Sequence, residues 1–500
     1  MKNHRCTLTY TLASSFSYIR TVTLGMGLMV ISLTSHAQLL GQDIISMDQL
    51  DLFTLPIELP QAVPQPEFPS SQIDPANKIQ AILETGEEAL IEEIPDANTL
   101  INDVEELTII GKNQKAVLTE VNVQFGWQAL KQEWLLLLSA QQVMQLKSLP
   151  ITVIEENNLA ELQMFTVRIH VAQQYDNLAA LTALLAPVGA KVIERHHVYA
   201  IQGSDDKTEN ADAQPEADIQ QPASAHFDLS LKEQPLKEQS LKKQPLKIGI
   251  IDTAIDHQHS GFNHASITTK RFVDDNLIEP KAHATAVLGR IIGQGKTVTP
   301  LLTHANIYAA SVFYQKDAYS QSAPTLALLQ ALEWMLENDI KVINMSLAGP
   351  PNALLEQALQ RVREKGVAVV AAAGNAGPAS RPLFPAAYTS VIAVSAVDKY
   401  QRIYRWGNRG KHIDFVAEGV NVATLSAGNK EGVESGTSMA APIISAAMAI
   451  QMQTQDLEQS LTSLVEMTVD LGDGGRDVIY GDGFLSKKSV LELLLKLESE

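Results

Sequence analysis

The chain has 500 residues, which is long enough for two or more domains. Hydrophobic residues make up 45% of it, which is the composition of a folded rather than a disordered protein. Its net charge of −19 is concentrated in the N-terminal half, where residues 1–245 carry 31 acidic but 16 basic side chains. The sequence contains no basic stripe, so nucleic acid and anionic membranes are excluded as expected partners.

Residues 1–37 have the layout of an export signal. Three basic residues precede an apolar run over residues 21–34, and small residues flank His36 as a signal-peptidase site requires. The run is shorter than the roughly 20 apolar residues that span a bilayer, and a buried helix is the alternative interpretation. The single cysteine, Cys6, lies inside this segment, so the mature chain would contain no disulfide. We therefore expect an exported protein, periplasmic or secreted, with no membrane anchor in the mature chain.

The next segments alternate between polar and ordered sequence. Residues 38–100 are acidic and rich in proline, which disfavours regular structure, and we expect a disordered arm. Residues 101–202 contain elements in the order β-α-β-β-α-β, which predicts a small ferredoxin-like α+β domain. His196 and His197 are interpreted as ordinary residues of its last strand. Residues 203–245 contain a five-residue repeat that suits neither helix nor strand, and we expect an exposed linker there. The predicted strands of the small domain are 134–138, 151–155, 164–171 and 191–201, and its predicted helices are 140–149 and 175–185.

From residue 246 to residue 495 the sequence alternates strands and helices. Its apolar runs have the character of strands buried on both faces, which predicts a mostly parallel sheet with helices on both sides. Gly366 directly follows a predicted helix and is expected to end it. The predicted strands are 248–251, 307–313, 342–345, 367–372 and 391–397, and the predicted helices are 324–337 and 352–365.

Four polar residues of this region stand where α/β proteins place their sites. Asp252 ends a buried strand and Asn375 follows another, while His283 and Ser438 each begin a predicted helix. A serine hydroxyl becomes a good nucleophile when an imidazole takes its proton. The imidazole in turn needs a carboxylate that fixes its tautomer. The amide of Asn375 and the backbone N–H of Ser438 could stabilise a developing oxyanion. Each residue alone would be read as a cap, turn or packing residue, but their ordered combination indicates nucleophilic catalysis.

The segments around these residues resemble the subtilisin-like (S8) peptidases over residues 246–485. The resemblance is carried by Ile251-Asp-Thr-Ala254, His283-Ala-Thr-Ala-Val-Leu-Gly289, Val342–Pro350 and Gly436-Thr-Ser-Met-Ala-Ala-Pro442. It implies a three-layer α/β domain that hydrolyses protein or peptide substrates through an acyl-enzyme. It also implies that residues 101–202 are a propeptide that inhibits the enzyme and is removed by cleavage within residues 203–245. The implied residues are Asp252, His283 and Ser438 as the triad, Asn375 in the oxyanion hole, and Ser346, Leu347, Ala348 and Gly374 in substrate binding.

The sequence departs from the family pattern near these motifs. Alanine replaces the usual glycine at Ala254, Ala284 and Ala348, and it replaces a usual histidine at Ala286. Because alanine resists some backbone angles that glycine permits, a peptide-binding pseudo-protease remains an alternative. An esterase is a third hypothesis, but the chain lacks the Gly-x-Ser-x-Gly elbow and has a different triad order. Ala348 and Ala386 are expected to narrow the primary pocket, which favours small or medium apolar residues before the scissile bond.

Two clusters of acidic residues and histidines are interpreted without a metal. The first lies in a predicted loop at spacings that match no zinc pattern, and the second lies in a turn-rich stretch. Structural calcium is frequent in the family, but no loop carries a readable site, and no cofactor is expected. The clusters are Asp256, His257, His259 and His264, and Asp470, Asp473, Asp477 and Asp482.

Overall fold

The computed structural model describes residues 106–201, 246–317 and 320–499. The expected signal peptide, acidic arm and linker lie outside these residues. Within them, no helix combines the length and the apolar character that crossing a bilayer requires.

The N-terminal unit, residues 106–201, is an antiparallel sheet with two helices packed on one face. The strands pair in the order β1-β2-β3-β6, and β5 joins β3 to β4. The helices cover apolar side chains of β3 and β5, including Trp134, Val167 and Ile169. The elements are β1 Leu107–Ile110, β2 Ala116–Asn122, β3 Gln128–Leu137, α1 Ala140–Leu146, β4 Ile151–Leu159, β5 Met164–Val171, α2 Leu178–Leu185 and β6 Val192–Ala200.

The order from β3 to β6 is the predicted β-α-β-β-α-β, but the sequence did not predict β1 and β2. These two strands form a hairpin whose residues are largely exposed or half-buried, so their sequences lack a clear apolar alternation. The first helix also ends earlier than predicted, at Leu146, because Pro150 follows closely and disfavours helix before it. The second begins at Leu178, where the side chain of Asn177 accepts the amide of Ala180.

The C-terminal unit, residues 246–317 and 320–499, is built on an eight-stranded sheet in the order β18-β15-β14-β13-β12-β7-β9-β8. Every neighbouring pair in this sheet is parallel. The strands are β7 Leu246–Asp252, β8 Ser266–Arg271, β9 Ala305–Ser311, β10 Tyr314–Gln315, β11 Gln321–Pro324, β12 Val342–Met345, β13 Ala368–Ala372, β14 Ile392–Val397, β15 Phe415–Glu418, β16 Val422–Ser426, β17 Lys430–Glu434 and β18 Phe484–Leu485.

Helices cover both faces of this sheet, as the alternating sequence predicts. One core joins the sheet to α3, α6 and α8, and a second core on the other face joins it to α4 and α5. Asn352 caps α5 by accepting the amides of Leu354 and Leu355, and Gly366 ends it with a φ of +73°. The helices are α3 Ala282–Ile292, α4 Thr325–Glu337, α5 Ala353–Glu364, α6 Thr437–Gln451, α7 Leu457–Glu466 and α8 Lys487–Ser499.

The last strand of the N-terminal unit pairs with two segments of the C-terminal unit. Strand β6 pairs antiparallel with β11, with Tyr199 opposite Ala323 and Ala200 opposite Ser322. On its other side, the backbone N–H and C=O of Ala200 bond to the C=O and N–H of Ala348, at 2.9 Å each. The end of β6 therefore lies as a middle strand between two segments of the C-terminal unit.

Candidate active site

The carboxylate of Asp252 and the imidazole of His283 form a hydrogen-bonded pair. Asp252 is the last residue of β7 and is fully buried, and His283 is the second residue of α3. His283 Nδ1 lies 2.8 Å from Oδ1 and 3.0 Å from Oδ2 of Asp252. A carboxylate in this position holds the Nδ1–H tautomer, so Nε2 is the nitrogen that can accept a proton.

Thr253 fixes this pair by joining the end of β7 to the start of α3. Its amide donates to Asp252 Oδ1 at 2.6 Å, and its hydroxyl accepts the amide of Ala284 at 2.9 Å. Thr253 lies within the Ile251–Ala254 motif, but the motif alone predicted no role for it. The strand that carries the carboxylate and the helix that carries the imidazole are therefore held in one geometry.

Ser438 is the second residue of α6, a 15-residue helix. It is 5% exposed and lies in the first turn, where backbone N–H groups have no intrahelical partner and the helix dipole favours negative charge. The residue before the helix, Gly436, has a φ of +153°, a backbone angle that side chains disfavour. This glycine lets the chain turn sharply into the helix that carries the hydroxyl.

The side chain of Asn375 is fixed beside this turn. Asn375 Oδ1 accepts both the amide and the hydroxyl of Thr437 at 3.0 Å, and the Thr437 hydroxyl accepts the amide of Gly374 at 3.1 Å. These bonds set the orientation of the amide, so Nδ2 is its donor end. A Cβ added to Gly436 would lie 2.9 Å from that Nδ2, so donor and glycine are in close contact.

The proline inside α6 leaves the carbonyl of Ser438 without its helical partner. Pro442 lacks an N–H, so it cannot bond the carbonyl four residues earlier. Ser346 replaces that bond, because its hydroxyl donates to the Ser438 carbonyl at 3.3 Å. Asn344 supports this contact, since Nδ2 donates to Ser346 Oγ at 2.9 Å and Oδ1 accepts the hydroxyl of Ser445 at 3.1 Å.

This network gives Ser346 a structural contact in addition to its predicted role in substrate binding. The sequence predicted a substrate-binding residue, but its buried hydroxyl lies against the helix that carries Ser438. Sequence reasoning gave no role to Asn344, although an amide in the middle of an apolar strand and a proline inside a helix were both visible signals. The structure therefore places Asn344 and Ser346 as supports of the first turn of α6.

The other predicted substrate-binding residues have different surroundings. Ala348 makes the two backbone bonds to Ala200 described above, while the side chain of Leu347 is buried in the core. Gly374, with a φ of +101°, lies against the side chain of Leu383. Among these residues, Ala348 bonds to the end of β6 through its backbone.

The alanines that depart from the family pattern sit without backbone strain. Ala254, Ala284 and Ala348 all lie outside the positive-φ region, so no position demands glycine. Ala286 is buried within α3 at 4% exposure. The departures leave the contacts of Asp252 and His283 in place.

One residue from each of the two clusters of acidic residues and histidines accepts backbone hydrogen bonds in a turn. His259 caps a short turn by accepting the amide of Gly261, and Asp477 accepts the amides of Ile479 and Tyr480. Over the part of the chain that the structure describes, no three histidine, cysteine or acidic residues are arranged to hold a metal ion.

Comparisons with known proteins agree on one family. Residues 243–483 match the subtilase family, peptidase S8. The chain is 33% identical over 254 residues to the minor extracellular protease Epr of Bacillus subtilis (strain 168), which covers 49% of this chain and 38% of Epr. It is 30% identical over 255 residues to subtilisin DY of Bacillus licheniformis, which covers 49% of this chain and 90% of that protein. It is also 30% identical over 246 residues to subtilisin Savinase of Lederbergia lenta, which covers 49% of this chain and 89% of that protein. This protein therefore belongs to the subtilase family of serine peptidases.

Proposed function

We propose that this protein is an exported serine endopeptidase that hydrolyses peptide bonds through an acyl-enzyme on Ser438. The observation that carries the proposal is the bond between the buried Asp252 carboxylate and His283 Nδ1, at 2.8 Å. The fixed positions of Asn375 and of the first turn of α6 support it. The subtilase relatives support the same reaction class.

In the proposed first step, Ser438 Oγ attacks the carbonyl carbon of the scissile bond while His283 Nε2 takes the hydroxyl proton. The carbonyl oxygen gains a negative charge, which Asn375 Nδ2 and the backbone N–H of Ser438 stabilise. The intermediate collapses, the C–N bond breaks, and the leaving amine takes the proton from His283. Asp252 stabilises the imidazolium that exists between these two proton transfers.

The second step releases the product. A water molecule gives a proton to His283 Nε2 while its oxygen attacks the ester carbonyl carbon, and the same donors stabilise the oxyanion. The ester C–O bond then breaks, and Ser438 Oγ regains the proton from His283. No cofactor is required, because the nucleophile, the base and the oxyanion donors are all side-chain or backbone groups of the chain.

A peptide-binding pseudo-protease is the alternative function. Alanine at positions 254, 284 and 348 motivated it, but these residues have unstrained φ angles. The Asp252–His283 contact also favours the active enzyme, because a protein that only binds peptides does not need a buried carboxylate on an imidazole.

We also propose that the N-terminal unit inhibits the enzyme until self-cleavage within residues 203–245 releases it. Two observations support this: the end of β6 takes both backbone bonds of Ala348, and it pairs with β11 on its other edge. A substrate peptide needs the same backbone groups. While β6 stays in place, substrates are expected to be excluded.

A fluorophosphonate probe tests the proposed activity directly. Such a reagent bonds to a serine whose hydroxyl an imidazole has activated, so the wild-type chain should be labelled at Ser438. The His283→Ala chain should lose the labelling, since the hydroxyl would lack its base. Absence of labelling in the wild-type chain after processing would favour the pseudo-protease.

Replacing Gly436 with alanine is expected to lower kcat by about 10²- to 10³-fold. The added Cβ would lie 2.9 Å from Asn375 Nδ2 and would displace the proposed oxyanion donor. Kinetics on a peptide substrate measure the effect, with Gly474→Ala as the control because Gly474 has open space around it. An unchanged kcat in Gly436→Ala would contradict the role of this donor.

The primary pocket is expected to prefer small or medium apolar residues before the scissile bond. Ala348 and Ala386 each add a methyl group to the predicted wall of this pocket, where glycine is usual in the family, and both side chains are buried. A panel of chromogenic peptides that differ in this residue measures the preference. Faster cleavage after phenylalanine or tyrosine than after alanine or leucine would refute it.

A further inference from the structure

We infer that a slot formed by Gly349 and Pro350 selects tyrosine in substrates, at the position that Tyr199 of the N-terminal unit occupies. The inference rests on the proposed function, because it takes the end of β6 as a stand-in for a bound substrate. It adds a specificity that recognises a hydroxyl group.

The backbone of β6 is held in a way that any extended peptide could reproduce. Tyr199 and Ala200 lie opposite Ala323 and Ser322 of β11, and Ala200 makes both backbone bonds to Ala348. These contacts use main-chain groups and do not depend on sequence. Selection among peptides must therefore come from side chains that the C-terminal unit encloses.

Tyr199 is enclosed in this way. Its side chain is fully buried, and its ring lies so close to Gly349 that an added Cβ would overlap Cδ1 of the ring. The tyrosine hydroxyl donates to the carbonyl of Pro350 at 3.0 Å. Burial raises the pKa of Tyr199 well above its ordinary value, so the hydroxyl remains a neutral donor.

The neighbouring position does not share this property. Ala200 is exposed, as expected for a strand whose side chains alternate between two faces. Phenylalanine in the slot would leave the Pro350 carbonyl without this donor. Alanine would leave the apolar volume of the ring unfilled. Of the positions Tyr199 and Ala200, we therefore expect selection at Tyr199.

Competition by synthetic peptides tests the inference without knowledge of the cleavage point. The peptides carry the sequence of residues 192–210 with tyrosine, phenylalanine or alanine at the position of Tyr199. They compete with a chromogenic substrate for the processed enzyme obtained by expressing the full chain. We expect the tyrosine peptide to bind about tenfold more tightly than the phenylalanine peptide. We expect it to bind about a hundredfold more tightly than the alanine peptide.

The Gly349→Ala variant provides the matched test. Gly349 does not have a positive φ, so the backbone accepts alanine while the slot closes. The preference for tyrosine should then be lost, whereas binding of the alanine peptide should stay at the level of the Gly474→Ala control. Labelling of Ser438 by the fluorophosphonate probe should be unchanged in the Gly474→Ala control.

The outcomes separate the two proposals. Absence of labelling in the wild-type enzyme would overturn the proposed function itself. Normal labelling with equal binding of the tyrosine and phenylalanine peptides would overturn the hydroxyl selection alone. A tyrosine preference that persists in Gly349→Ala would overturn the assignment of the slot.

Discussion

Replacing Ser438 with alanine is expected to leave a full-length chain that does not cleave itself and does not hydrolyse peptides. Without Ser438 Oγ, the base His283 has no nucleophile to deprotonate, so the acyl-enzyme cannot form. The expected loss in kcat is about 10⁶-fold, the size that removal of the nucleophile has in subtilisin. Expression in a protease-deficient host, followed by mass spectrometry of the chain, measures the processing.

Ser380→Ala is the matched control, since Ser380 is half-buried and its hydroxyl donates to the neighbouring carbonyl of Arg381. This variant should be processed like the wild-type chain. If Ser438→Ala were processed at the same rate as Ser380→Ala, the proposal of self-cleavage would be wrong and another protease would be responsible.

Lowering the pH below about 6.5 is expected to weaken the docking of the N-terminal unit. The reason lies in His196 and His197, whose rings both accept hydrogen bonds from the C-terminal unit. His196 Nε2 accepts the amide of Leu326 at 3.3 Å, and His197 Nδ1 lies 3.3 Å from Asn352 Nδ2. A protonated ring could accept neither bond, so docking requires both rings to be neutral.

The surroundings of Leu326 and Asn352 show that each donates the hydrogen bond to its histidine. Leu326 lies in the first turn of α4, whose N-terminus disfavours a nearby cation. Asn352 Oδ1 already accepts the amides of Leu354 and Leu355, so its Nδ2 is the donor toward His197. His196 therefore accepts an amide at the start of α4, and His197 contacts the side chain that caps α5.

The groups around His196 have opposing effects on its pKa. Burial lowers the pKa of His196, while Glu133, whose Oε2 lies 2.9 Å from Nδ1, raises it. Arg168 bonds the same Glu133 carboxylate and lowers the pKa, and Glu155 raises it slightly. Burial outweighs the carboxylates, so His196 stays neutral to a lower pH than a free histidine.

The pH range of the weakening follows from the pKa of His197. Burial, with Arg195 and His196 nearby, lowers its pKa to about 4 from an ordinary 6.5. Because the docked state binds fewer protons than the free state between these values, docking is fully stable above about pH 6.5 and weakens as the pH falls toward 4. The weakening reaches about 300-fold for this residue alone.

Gel filtration of the processed complex at about pH 7.5, 5.5 and 4.5 measures the dissociation of the two units. His197→Asn keeps a hydrogen-bonding side chain that does not titrate, so it should remove the contribution of His197 to the pH dependence. Equal affinity at all three pH values in the wild-type complex would contradict the requirement for neutral rings.

Much of the catalytic unit could be predicted because its signals are local. The end of a buried strand at Asp252 and the segments around His283 and Ser438 are each readable within a few residues. The alternation of apolar runs and helices predicted the parallel sheet for the same reason, since a strand buried on both faces is apolar throughout. Glycine after a helix predicted the end of α5 at Gly366.

The roles that sequence reasoning missed depend on contacts between distant parts of the chain. Ser346 was predicted to bind substrate, and the structure adds a contact that this prediction did not include, since its hydroxyl lies 3.3 Å from the Ser438 carbonyl that Pro442 cannot bond. His196 and His197 were interpreted as ordinary strand residues, yet both rings meet helix N-termini of the other unit. Strands β1 and β2 lacked a readable pattern because much of their surface is exposed or half-buried.

The sequence by itself determined the chemistry that we propose, because the proposed nucleophile, base and carboxylate lie in short motifs whose neighbours dictate strand ends and helix starts. The tertiary structure decided how the two units meet and which residues hold Ser438, Tyr199 and the histidine pair. The physical reason is that burial and hydrogen bonding across a docked surface arise from chain segments more than a hundred residues apart, and no local pattern encodes such a pairing.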